Sequence, residues 1–191
     1  MDWNARYLEG DTPWDKGEAA PPLGEIWERF GSEVWGGGTV LVPGCGLGHD
    51  ARWLAGKSLE VWGLDVAPLA VERGQELVVG GNPELEVGDF FEAEAGRVTA
   101  IFEHTCFCAI EPEERERYAE AARVWLGEGE CLVAIFFLTP GNEGKGPPYG
   151  VTREELDGLF GEGFELEAEW VPGVGYGGRE GRELVRVLKR V

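Results

Sequence analysis

Four short stretches carry residues whose types and spacing suit chemistry. Val40-Leu41-Val42-Pro43-Gly44-Cys45-Gly46-Leu47-Gly48 reads as a strand running into a glycine turn that opens a helix. Glycines at such a turn let the backbone approach a ligand closely and adopt unusual dihedral angles. The spacing is G-x-G-x-G, and His49 stands where the dinucleotide form G-x-G-x-x-G needs its third glycine. Asp65 follows 21 positions after Gly44, at the end of the second expected strand. A carboxylate there can accept both hydroxyls of a ribose, or it can cap the helix that opens at Pro68. Asp89-Phe90-Phe91 closes the third strand and suits an adenine, the acid meeting the exocyclic amine with a ring edge alongside; one of the two phenylalanines is expected in the core. The fourth stretch, Glu103-His104-Thr105-Cys106-Phe107-Cys108, ends the fourth strand. His104 suits a base, since imidazoles titrate near neutrality, and suits a hydrogen-bonded wall residue equally well. The cysteines read as small buried hydrophobes rather than nucleophiles.

The rest of the composition excludes more than it suggests. The serines are Ser32 and Ser58, neither in a G-x-S-x-G setting, so an elbow-type serine hydrolase is out. The two histidines form no H-E-x-x-H and the four cysteines no C-x-x-C, so no metal site is expected. Gly56-Lys57-Ser58 resembles the end of a phosphate-binding P-loop, but Ala51 stands where that motif needs glycine and the segment follows a helix. Among 191 residues, 17 basic side chains against 36 acidic ones leave a net charge of −19. Such a balance disfavours nucleic acid and anionic membranes as partners, and surface glutamate serving solubility or ion-pair networks accounts for it. Met1 to Ala20 offers neither the basic start nor the apolar run of a leader, and no apolar stretch approaches a membrane span. A cytoplasmic protein with reduced thiols is expected.

Stepping along the chain shows what must position these residues. The first 22 carry three aromatics and a turn-rich stretch closed by Pro21 and Pro22, an irregular arm that packs on something. Apolar residues at helical spacing predict a helix over Leu23 to Val34, ended by Gly36-Gly37-Gly38. Strands are expected at Thr39 to Val42, Leu59 to Leu64, Leu85 to Val87 and Val98 to Phe102. Helices are expected from His49 to Leu54, from Pro68 to Val79 and from Pro112 to Leu126. Cys131 to Leu138 suits a central strand buried on both faces. Thr139 to Gly150 is a loop, and Thr152 with Glu155 opens a capped helix to Phe160. Phe164 to Val171 and Leu184 to Val191 form a hairpin. The pattern is one α/β domain over 1–191, a mainly parallel sheet with helices on both faces and its site near the switch point beside strand one.

With these residues in view, the chain resembles the thiopurine/thiol/halide S-adenosylmethionine-dependent methyltransferase family over almost its whole length. Trp3 with Thr12-Pro13-Trp14-Asp15-Lys16-Gly17 is similar to the family's aromatic arm, Tyr7 standing where a second tryptophan is usual. Pro43 to Asp50 is similar to its cofactor loop. Phe107-Cys108-Ala109-Ile110-Glu111-Pro112 with Arg115, Gly146-Pro147-Pro148-Tyr149 and Gly181-Arg182-Glu183 match further segments. The resemblance implies a Rossmann-like class I methyltransferase fold, with a seven-stranded sheet and an antiparallel C-terminal hairpin. It also implies S-adenosylmethionine as methyl donor, S-adenosylhomocysteine as product, and action as a monomer on a small molecule. Trp3, Tyr7 and Trp14 would line the cofactor from the arm, with Gly44, Cys45 and Gly46 along its methionine part. Asp65 would hold the ribose, Asp89 and Phe90 would border the adenine, and Val66, Glu103 and His104 would also contact the cofactor. His104 falls where plant relatives have tyrosine and the thiopurine branch has arginine, so its substrate contact is open.

The chemistry so implied is in-line displacement by a soft nucleophile, which needs orientation and a dry pocket more than proton transfer. His104, Phe107, Tyr149 and Arg182 are the catalytic candidates, with Trp170 and Tyr176 as further wall residues; each aromatic has a core-packing alternative. The 141–150 loop and the arm would act as lids. Two other readings compete: a nicotinamide-dependent oxidoreductase on a similar sheet, and a family member that binds cofactor without activity.

Overall fold

The computed structural model describes residues 1–92, 97–138 and 146–191. Seven strands form one sheet in the order β3-β2-β1-β4-β5-β7-β6. They are β1 (Thr39–Pro43), β2 (Glu60–Asp65), β3 (Glu84–Val87), β4 (Ala100–His104), β5 (Cys131–Phe137), β6 (Phe164–Trp170) and β7 (Glu183–Arg190). The five strands β1 to β5 run parallel to one another, while β7 is antiparallel to both β5 and β6. The direction of chain progress reverses between β1 and β4, which leaves a crevice beyond their carboxyl ends.

Alternation along the strands explains the two layers of helix. Leu41, Ile101, Leu132, Ala134 and Phe136 point to one face, where they meet Tyr118, Trp125, Leu156 and Phe160. Those residues belong to α5 (Arg115–Trp125) and α6 (Arg153–Phe160). Val40, Val42, Ala100, Phe102, Val133 and Ile135 point the other way. There they meet Leu23 and Ile26 of α2 (Pro22–Phe30), Ala51 and Leu54 of α3 (His49–Ala55), and Val71 of α4 (Pro68–Glu76). A strand buried on both faces has no polar positions to spare, hence the unbroken apolar run of β5.

The expected elements are present with shifted edges. The arm is not irregular throughout: Trp3–Glu9 is a helix, α1. Asp2 accepts the Ala5 N–H at 2.9 Å to open it, and Gly10 in the left-handed region closes it. α2 stops at Phe30 because Gly31 takes φ +55°, and Glu33–Trp35 continues as a separate 3-10 turn. The helix expected from Pro112 begins as a 3-10 turn, Pro112–Glu114, and becomes α only at Arg115. Thr152 caps α6 by accepting the Glu155 N–H at 3.1 Å. The loop expected at Thr139 to Gly150, and the lid assigned to it, lie outside the described residues as far as position 145.

Gly63 shows how closely the switch-point turn sits on the sheet. A Cβ there would come within 2.6 Å of Leu85 Cδ2 and 2.9 Å of Cys45 Sγ. The bare strand lets Cys45 settle onto β2, where the Cys45 N–H donates to the Leu64 carbonyl at 3.0 Å.

Candidate active site

Two connected hollows occupy the crevice. The larger, about 410 Å³, lies over the ends of β1, β2 and β4, within the range of small-molecule pockets, roughly 300–1,000 Å³. Gly44 forms its floor, Asp65, Val66, Asp89 and Phe90 one side, and Trp3, Tyr7 and Trp14 of the arm the side toward solvent. The smaller, about 50 Å³, continues past Gly44 and is bordered by Cys45, Gly46, Asp50, His104 and Tyr176. Tyr7, Trp14, Gly44 and Thr105 border both.

The glycine turn and Asp65 are one unit. Gly44 and Gly46 take φ +57° and +54°, a region that a side chain would strain. Asp65 accepts the Gly46 N–H on one oxygen and the Ala67 N–H on the other, each at 2.8 Å. The carboxylate therefore holds the turn and fixes the short link to α4, whose N-cap residue is Ala67 and whose first turn has no side-chain cap; the cap expected of Asp65 at Pro68 is not formed. Burial pushes its pKa up while the two backbone donors oppose that rise. Each oxygen keeps a lone pair beyond its backbone bond, so the carboxylate retains capacity for a ligand contact.

The arm is fastened over this unit. Trp14 donates from Nε1 to the Tyr7 hydroxyl at 3.1 Å, and the Arg6 guanidinium lies 4.4 Å over the Trp14 ring. A Cβ on Gly46 would stand 2.9 Å from the Tyr7 oxygen, which places the phenol directly above the turn. Asn4 accepts the Leu69 N–H and Arg73 donates to the Tyr7 carbonyl, tying α1 to α4. Farther along, Asp15 pairs with His49 at 3.1 Å, and Asp50 accepts the Ala20 N–H.

Several expected site residues are elsewhere. Phe107 is 1% exposed and sits among Tyr118, Phe136 and Phe160, so it is core and not pocket wall. Its neighbour Glu103 is 1% exposed and turns inward, accepting the Phe107 N–H at 2.7 Å and the Tyr118 hydroxyl; it borders neither hollow. Both side chains follow the pleat of β4 and the 3-10 turn after it into the α5 layer. Tyr149 is also outside the larger hollow: its side chain bonds Glu111 and its carbonyl accepts from Arg115. Arg182 is exposed at the start of β7, while Arg179, three residues earlier, lines the larger hollow. Trp170 donates to Glu25 on the surface of the sheet. Of the phenylalanine pair, Phe90 is the buried one, 4.6 Å from the Tyr118 ring, although its edge still borders the hollow.

Arg6 and Arg179, the cations of the larger hollow among the described residues, did not stand out in the sequence. Arg6 is one helical turn from Trp3, and a helical reading of the arm would have found it. Arg179 lies in a glycine-rich connection whose path no periodicity reveals. Cys106 and Cys108 also border the hollow. Burial raises both thiols, Cys108 to about 12, and its S–H donates to the Thr105 carbonyl at 3.4 Å.

The model of the thiopurine S-methyltransferase family matches residues 1–170. The chain belongs to that family. It is 36% identical over 169 residues to a probable thiol methyltransferase of Arabidopsis thaliana, covering 85% of this chain and 73% of that one. It is 31% identical over 177 residues to the thiopurine S-methyltransferase of Bordetella pertussis, covering 83% and 80%. The fold is also that of the 1,6-didemethyltoxoflavin-N1-methyltransferase of Burkholderia thailandensis, solved with S-adenosylhomocysteine, with TM-score 0.74 and 18% identity over all of this chain and 86% of that one. This member of the thiopurine S-methyltransferase family is accordingly an S-adenosylmethionine-dependent methyltransferase of small soft nucleophiles, and the nicotinamide reading falls away. Among the described residues, no helix is long and apolar enough to cross a membrane.

The buried pair Glu103 and Tyr118 yields a stability prediction for this family member. Burial lifts the Glu103 carboxyl from about 4.5 to about 7, against the pull of both donors. The folded chain thus holds that proton more tightly than the unfolded one. The associated stability is complete below about pH 4.5 and is lost as pH rises through about 7. Glu103→Gln has no proton to lose, and its amide can accept from Phe107 while donating to the Tyr118 oxygen. Between pH 5 and 8 the native protein is expected to lose on the order of 2–3 kcal/mol that the Gln variant retains. Urea midpoints at the two pH values measure it, and parallel losses in both proteins would refute the assignment.

Proposed function

We propose that this enzyme methylates small sulfur nucleophiles, hydrosulfide and alkyl thiols, with halides as slower acceptors, acting as a one-domain monomer in the cytoplasm. The observation that carries the reading is the joint placement of the Asp65 carboxylate, the Gly44–Gly46 turn and the aromatic arm around one hollow of about 410 Å³. The residues fit S-adenosylmethionine: a turn too tight for side chains faces the hollow, a carboxylate stands at the end of β2, and aromatic rings enclose the far side. When bound, the cofactor supplies a methyl group on a positively charged sulfur.

The chain's own residues do the rest. Gly44 and Gly46 would approach the methionine part, Asp65 would accept the ribose hydroxyls, and Asp89 and Phe90 would border the base. Trp3, Tyr7 and Trp14 would exclude water, which strips solvent from an incoming nucleophile. Holding the reactants at near-attack geometry is worth on the order of 7–11 kcal/mol. Arg6 and Arg179 would attract an anionic acceptor into a protein of net charge −19. The relative named as a thiol methyltransferase, and four free cysteines consistent with a reducing compartment, support the thiol and cytoplasmic parts of the reading.

A competition panel of hydrosulfide, an alkyl thiol, thiocyanate, iodide, bromide and a thiopurine, read as volatile or labelled product, tests it. Hydrosulfide and the thiol are expected to give the highest kcat/KM. Dominant thiopurine turnover would overturn the acceptor assignment, and tight cofactor binding with no methylated product from any acceptor would indicate a binding module instead.

A further inference from the structure

The smaller hollow contains an arrangement that the methyl-transfer reading leaves unused. His104 is 8% exposed at the end of β4. Its Nδ1 lies 2.8 Å from Asp50 Oδ2, and its Nε2 is buried without a hydrogen-bond partner. Buried ring nitrogens are almost always satisfied, so this orphan, on a residue that borders the smaller hollow, asks for a partner. Asp50 is itself fixed, because its other oxygen accepts the Ala20 N–H at 2.6 Å. With Asp50 accepting, the proton sits on Nδ1 and Nε2 presents a lone pair. The ring is held from the other side by Tyr176, 5.9 Å away between centroids, whose hydroxyl donates to the Glu18 carbonyl.

We infer that Asp50 and His104 form a proton-accepting dyad, and that the smaller hollow seats the sulfur of an acceptor that arrives as a neutral thiol or hydrogen sulfide. This rests on the acceptor class proposed above and extends it to the protonated form. In the step, the S–H bond breaks, its electron pair stays on sulfur, and the proton forms a new N–H bond at Nε2. The products are a thiolate and an imidazolium, and the imidazolium returns its proton to water after turnover. Asp50 from α3, on Nδ1, and Glu183 from β7 are the acidic groups around the ring, and Tyr176 lies alongside it. Lys16, Asp15, Glu18 and His49 also border the hollow, with His49 paired to Asp15, and Arg179 is paired with Glu183 at 3.4 Å. A hollow of about 50 Å³ exceeds the room one water needs, roughly 10–15 Å³ by the same kind of measure, and so accommodates a sulfhydryl head with its chain extending into the larger hollow.

A base serves a thiol and is useless to iodide, which carries no proton. The test is therefore the ratio of kcat/KM for an alkyl thiol to that for iodide, followed from pH 6 to pH 10 in the native enzyme, His104→Phe and Asp50→Asn. The ratio is expected to fall by about 100-fold or more in both variants at pH 6 to 7, and to recover toward the native value as the thiol ionises by itself. A readout independent of turnover is nitrogen NMR of the imidazoles. The chain has only two histidines, so a His49→Gln protein shows His104 alone, expected with its proton on Nδ1 and Nε2 bare. A ratio in both variants that matches the native value at pH 6 to 7, or a proton found on Nε2 in the neutral ring, overturns the dyad. Native enzyme that methylates neither acceptor would instead defeat the acceptor reading, with the NMR result still deciding the dyad.

Discussion

Replacing Asp65 by alanine is expected to weaken S-adenosylmethionine binding by about 2–4 kcal/mol, a roughly 30- to 1,000-fold rise in Kd. Two losses add. The ribose hydroxyls lose a charged acceptor in a largely buried site, where such bonds are worth about 1.5–3 kcal/mol. The Gly46 and Ala67 N–H groups lose theirs too, since both donate to this carboxylate at 2.8 Å. The second loss loosens the glycine turn before any ligand arrives. Asp65→Asn separates the parts: its remaining oxygen still accepts one backbone donor, so stability falls less while the charge is gone. Calorimetry with S-adenosylhomocysteine, alongside melting of the free protein, measures both. An unchanged Kd for the alanine variant would remove Asp65 from the cofactor site.

The second large effect belongs to Phe107. Truncation to alanine is expected to destabilise the fold by about 3–5 kcal/mol, because the ring is almost fully buried against Phe136 and Tyr118, each 5.3 Å away, and under the Arg115 guanidinium at 5.1 Å. Arg115 also donates to the Gly150 carbonyl and pairs with Glu155, so the cavity would sit beneath the anchor of the segment that follows the Gly146 loop. Phe107→Leu refills most of the volume and should recover much of the loss. Urea unfolding gives the energies, and kcat/KM of the leucine variant checks the rest. A stable alanine variant with collapsed turnover would return Phe107 to the site.

How much of this was visible in the sequence follows from the range of the forces involved. The β-α alternation was legible because each strand is bounded by glycine or proline and buried on a known period, as in the run Cys131 to Phe137. The pairing of the glycine turn with Asp65 was legible because both sit at strand ends, where topology alone fixes their distance. The sequence leaves Asp65 between capping α4 and facing a ligand; its backbone bonds go to Gly46 and Ala67, and the helix has no side-chain cap. Side-chain direction beyond a strand end was not legible. Glu103 and Phe107 look like mouth residues until the 3-10 turn Phe107–Ala109 folds them toward α5. The Asp50–His104 pair spans 54 positions, and no local pattern announces it. α1 escaped notice because seven residues are too few for a clear period, and two caps decide its existence.

An enzyme that alkylates sulfur has to spare its own. Cys106 and Cys108 border the very hollow in which the donor's methyl group would be exposed. Burial holds the Cys108 thiol up at about 12, and its S–H is committed to a backbone carbonyl. Burial thus keeps the resident sulfurs protonated, and under the dyad inferred above the visiting one alone gives up its proton.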